Sequence, residues 1–79
     1  MPQTGAKYVV GIKQLRRAIQ NGICRKAFLA RDADPALTEP IAALCREAGI
    51  ELAEAESMAA LGKQFGISVG AAAAGLLQS

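Results

Sequence analysis

The chain has 79 residues, 52% of them apolar and 20% charged, which leaves room for one domain with one small core and excludes disorder throughout. The net charge of +2 hides a division, because residues 1–31 hold seven cations and no acid while the remainder holds two cations and all seven acids; a one-signed region of that kind suits a polyanion. Histidine is absent, which removes histidine triads, cysteine–histidine dyads and histidine metal sites together.

The N-terminus, MPQTGAKYVVGIKQ, lacks the unbroken apolar run of a secretory signal, so a cytoplasmic protein is expected. Tyr8 to Val10 groups three β-formers, Gly11 breaks the run, and a helical period begins. At about 100° per residue, Leu15, Ala18 and Ile19 share one face, with Lys13, Arg16, Arg17 and Gln20 opposite. Asn21-Gly22 supplies a stop. Lys26 to Ala30 reads as a buried strand, followed by a turn-forming loop from Arg31 to Pro35.

A second helix is expected with Thr38 as its cap and Pro40 in its first turn, carrying Leu37, Ile41, Leu44, Cys45 and Ala48 at helical spacing and ending at Gly49. Ile50 to Ala53 alternates as a strand. Ser57 is placed to cap a short helix with Met58, Leu61 and Phe65, closed by Gly66. Ile67 to Leu77 is read as a tightly packed strand, far short of the roughly 20 residues that cross a membrane. Strand and helix alternating three times before a closing strand predict a single-domain α/β chain over 1–79, a three-layer α/β/α sandwich with a mixed four-stranded sheet.

Little in the chain carries catalytic chemistry. Cys24 and Cys45 are too far apart for a C-x-x-C motif and read as reduced core residues. Asp32 and Asp34 could share a hard cation, but carboxylates before a helix more simply cap free N–H groups. No phosphate-cradling glycine string occurs, and Tyr8, Phe28 and Phe65 fall on apolar positions, against an aromatic platform for bases. The turn at Gly11 is the better candidate, because a helix N-terminus offers free N–H groups and a positive dipole end. Lys13 and Gln14 lie in its first turn and Arg17 one turn on; lysine and arginine bind phosphates or guanine acceptors, and glutamine can donate to and accept from a base edge.

Three strings, GIKQLRRAIQNG from Gly11 to Gly22, ARDADP from Ala30 to Pro35 and LGKQFGISVGAAA from Leu61 to Ala73, together resemble the L7Ae superfamily of ribosomal and kink-turn-binding proteins, and within it the small bacterial YbxF/YlxQ-like members. The resemblance runs from about Tyr8 to Leu77. It implies an α/β/α fold that inserts the N-terminal end of its first helix into the widened major groove of a kinked RNA, where sheared G·A pairs are read. Carried over by position, the RNA contacts would come from Gly11 through its backbone, from Lys13, Gln14 and Arg17, and from a loop containing Glu56, Ser57 and Met58 that covers a flipped-out nucleotide. Archaeal members have Asn-Glu at the positions of Lys13 and Gln14, whereas the bacterial group shares Lys-Gln; the Val-Pro-Ser of the archaeal loop is also missing, and Glu56 places a carboxylate there. The expectation is a non-catalytic, monomeric, ribosome-associated protein that binds structured RNA, ribosomal or a kink-turn, without cofactor, metal or membrane. The alternatives are a protein-interaction module with Glu47, Glu51 and Glu54 as its rim, or a metal-dependent enzyme built on Asp32 and Asp34.

Overall fold

The computed structural model describes residues 7–78. Along the chain run β1 (Tyr8–Val10), α1 (Ile12–Gln20), β2 (Cys24–Ala30), α2 (Pro35–Ala48), β3 (Glu51–Ala55), α3 (Met58–Gln64) and β4 (Ala73–Leu77). The strands form one sheet in the order β1-β4-β2-β3. β4 is inserted antiparallel between β1 and β2, while β2 and β3 pair in parallel. The sheet is therefore mixed and four-stranded, as the alternation of elements predicts.

Alternation along the strands divides the core between the two faces. On one face Ala27 and Leu29 of β2 meet Leu15, Ala18 and Ile19 of α1 and Ile41 and Cys45 of α2. On the other, Ala30 and Ala74 pack with Leu61 of α3, joined by Phe28 and Phe65. The stripe read on α1 is the one that is buried, and Lys13, Arg16, Arg17 and Gln20 stay exposed. α1 sits close on the sheet because position 75 is glycine; a Cβ there would come within 2.5 Å of Leu15 Cδ1.

Four element boundaries differ from the sequence expectation. β2 begins at Cys24 rather than Lys26, through a bulge between those residues; the extra residue lets Cys24 join the α1/α2 core while Lys26 turns to the opposite face. α2 begins at Pro35 and is capped by Asp34, not by Thr38, since Asp34 Oδ1 accepts from the Ala36 N–H at 2.9 Å and proline suits the first helical position. Pro40 consequently lies inside the helix, and the carbonyl that it leaves unpaired, on Ala36, belongs to an exposed residue that water can reach. β3 covers 51–55, in register with Lys26 to Ala30.

The fourth difference is the largest. The expected strand over Ile67–Leu77 forms only from Ala73, because the backbone from Ile67 to Ala71 is tied to α3: Ile67 N–H donates to Gly62 O and Ala71 N–H to Met58 O, and the sheet is met at Ala72, whose carbonyl accepts from Ala30 N–H. This segment lies directly on the helix. A Cβ at Gly62 would run into the Val69 carbonyl oxygen, so only glycine allows the approach.

Candidate nucleic-acid interface

β1, β2 and β3 run the same way, so their C-terminal ends, the start of β4 and the starts of α1 and α3 meet at one end of the sheet. Gly11 is the N-cap of α1, with φ 113° and ψ 152°; no side chain caps the helix and its first turn holds no acid. The Gly11 N–H donates to Ala73 O at 2.8 Å, and the first bond inside the helix runs from Leu15 N–H to Gly11 O at 3.0 Å. Helix geometry leaves the N–H groups between them for solvent or a ligand, at the positive end of the dipole.

Lys13, Gln14 and Arg17 line one groove of about 200 Å³, walled by α1 and floored by Val9 of β1 and Ile23. The structure thus brings together the three α1 side chains singled out in the sequence. Gln14 folds back towards the helix start, its Oε1 lying 2.6 Å from where a Gly11 Cβ would stand. Among the described residues Lys13 and Arg17 make no ion pair, whereas Lys26 pairs with Glu51 at 3.2 Å and Arg31 with Glu54 at 3.6 Å. The glutamates of β3 thereby pair with Lys26 of β2 and with Arg31 just after it, not with the cations of α1. Two of the three acids of the interaction-rim alternative are engaged in this way.

The second predicted contact lies at the start of α3. Ser57 caps the helix as expected, its Oγ accepting from the Ala60 N–H at 3.0 Å. Met58 N–H donates to Asp32 Oδ1 at 2.7 Å, so Asp32 fastens the β2–α2 loop to α3 while Asp34 caps α2. Both carboxylates of the candidate metal pair accept from backbone N–H groups. Glu56 and Met58 are exposed.

Two hydrogen bonds draw the sites together. Ala71 N–H binds Met58 O and Ala73 O accepts from Gly11 N–H, so a three-residue stretch links the starts of the two helices. Just before that stretch stands Val69 with 69% of its surface open, a residue that the strand reading of Ile67–Leu77 hides. Gly66 and Gly70 on either side of it were the available signal, as turn formers bracketing a short apolar run. Tyr8, 42% exposed, packs against Phe65 at 5.2 Å between ring centres with the rings tilted by 49°, and Phe65 meets Phe28 edge-on at 5.6 Å. This trio sits on the α3 face, across the sheet from the groove.

The model of the ribosomal protein L7Ae/L30e/S12e/Gadd45 family matches residues 2–78. An RNA-binding protein of Bacillus pumilus is 39% identical over 69 residues, 87% of this chain and 84% of that protein. The RNA-binding protein YbxF of Geobacillus stearothermophilus is 39% identical over 72 residues, 91% of this chain and 88% of its own. Among solved structures, a Giardia lamblia 15.5kD RNA binding protein superposes with a TM-score of 0.86 at 22% identity, over 92% of this chain and 62% of the other. A Bacillus halodurans protein of unknown function gives a TM-score of 0.83 at 20% identity, over 92% and 73%. At those identities the superpositions speak for the fold, while the family match and the bacterial relatives span nearly the whole sequence: the chain belongs to the ribosomal protein L7Ae/L30e/S12e/Gadd45 family.

Proposed function

We propose that this protein is a non-catalytic RNA-binding protein that recognises a kinked, structured RNA containing sheared G·A pairs, within ribosomal RNA or as a separate kink-turn. The observation that carries the proposal is the start of α1, where a helix N-terminus without a side-chain cap, two cations with no ion-pair partner among the described residues and a carboxamide share one rim. In this role the free N–H groups and Lys13 meet phosphate, Gln14 reads a base edge, and Arg17 holds the backbone one helical turn along. Glu56, Ser57 and Met58 form the second contact. Ser57 keeps its hydroxyl proton available while its oxygen caps α3, and Met58 with Val69 offers apolar surface to an unstacked base. The family membership and the relatives named as RNA-binding proteins support the same reading.

Sequencing the RNA that copurifies with the protein from its own cells tests the proposal. Enrichment of segments with tandem G·A pairs beside an unpaired bulge is expected. Recovery of RNA in proportion to cellular abundance, with no such segment enriched, would count against it.

A further inference from the structure

We infer that the groove between α1 and the edge of the sheet takes one unpaired nucleotide of the bound RNA, its base on Val9 and Ile23 and its phosphate on Lys13 and Arg17. The inference rests on the proposed reading of the α1 N-terminus and extends it beyond the first helical turn, to Asn21 and Ile23.

The groove exists because β1 is an edge strand of three residues. α1 packs over its neighbour β4, where Gly75 admits Leu15, and overhangs the short edge. The uncovered floor is apolar: Val9 is half-buried, and Ile23 is 44% exposed although it lies at the margin of the core. Ile23 is nevertheless fixed, its N–H bound to Ala18 O and its carbonyl accepting from the Gln78 N–H. A rigid apolar residue held open beside a basic rim is a pre-formed surface for a ligand.

The rim states the chemistry of that ligand. No acid lines the groove, Lys13 and Arg17 have no ion-pair partner among the described residues, and carboxamides stand at Gln14 and Asn21. A nucleotide matches each part, with a flat face for the floor, an anion for the cations, and mixed donors and acceptors on its base edge for the carboxamides. A neutral apolar peptide would leave both cations unmatched. The volume of about 200 Å³ lies below the roughly 300–1,000 Å³ of drug-sized pockets, which suits one base and not a stacked pair.

The test measures binding of a kinked RNA with tandem sheared G·A pairs, each unpaired nucleotide replaced in turn by an abasic residue, to the wild type, Ile23→Asp, Ile23→Ala and Gln14→Ala. Ile23→Asp is expected to weaken the intact RNA by about tenfold, and that penalty should vanish for the RNA abasic at one particular position. Ile23→Ala, which places no charge near the core, must show the same pattern in smaller size, so that a misfolded aspartate variant does not decide the matter. If the wild type prefers the kinked RNA and Gln14→Ala weakens it, yet both Ile23 variants bind as the wild type or carry their penalty through every abasic RNA, the groove assignment alone is overturned. If the wild type shows no preference for the kinked RNA, the underlying reading falls and the groove falls with it.

Discussion

The carboxamide of Gln14 lies across Gly11, its Oε1 only 2.6 Å from the position that a Cβ on Gly11 would occupy. The glycine at the helix start is thus required twice, by its backbone at φ +113° and by the side chain three residues later. Gly11→Ala is expected to destabilise the fold by about 1–3 kcal/mol through the strained backbone and to displace Gln14 from its place. Urea denaturation measures the first effect and binding of kinked RNA the second. Adding Gln14→Ala to Gly11→Ala should recover part of the stability. No recovery would mean that the two residues do not meet.

Asp32 ties the β2–α2 loop to α3 by accepting from the Met58 N–H, a contact 26 residues long in sequence. Asp32→Ala is expected to cost about 1 kcal/mol, the size of an ordinary helix-cap loss, and Asp32→Asn, which keeps an acceptor oxygen, should cost much less. Chemical denaturation of the two variants gives the comparison. Equal losses would assign the effect to the negative charge near the helix start rather than to the hydrogen bond.

Asp32 also marks the limit of what the chain shows on inspection. Local signals were sound. The stripe of Leu15, Ala18 and Ile19, the cap at Ser57 and the capping use of Asp34 can all be read from spacing, because each depends on neighbours within a few residues. The partner of Asp32 is an N–H on a distant helix, and no spacing points to it. The start of α2 differs because Thr38 and Pro40 imitate a helix start that Asp34, four residues before Thr38, and Pro35 make. The segment from Ile67 to Ala71 has the composition of a strand, but its N–H groups at Ile67 and Ala71 bind α3, beside a close approach at Gly62 that only the folded chain displays. For the same reason Val69 and the groove floor at Ile23 stayed hidden, whereas Lys13, Gln14 and Arg17, on one helix face, did not.

Both thiols are free and buried, and burial pushes the Cys24 thiol up. Burial, and then the nearby Cys24, push Cys45 up against the opposing pull of Arg46. In the unfolded chain these groups ionise near the ordinary value of about 8.5. The stability they contribute is whole below that pH and is lost as pH rises through their higher folded values. The melting temperature should therefore fall from pH 8 upward, and the fall should be shallower in Cys24→Ala/Cys45→Ala at matched ionic strength. Parallel curves for the two proteins would show that the thiols do not govern the alkaline limb.

The start of α1 as an RNA reader is tested most directly by measuring affinity for a kink-turn and for a straight duplex at several salt concentrations, with the wild type and three alanine variants. The wild type should prefer the kinked RNA. Gln14→Ala should lose about 1–3 kcal/mol on it and little on the duplex, as expected when a base-edge contact is removed. Arg17→Ala should weaken both RNAs and lower the slope of log affinity against log salt by about one unit, the signature of a lost phosphate contact. Arg46→Ala, exposed in the last turn of α2 away from the groove, should bind as the wild type does. Equal affinity for the two RNAs, or a loss for Arg46→Ala as large as for Gln14→Ala and Arg17→Ala, would contradict the assignment.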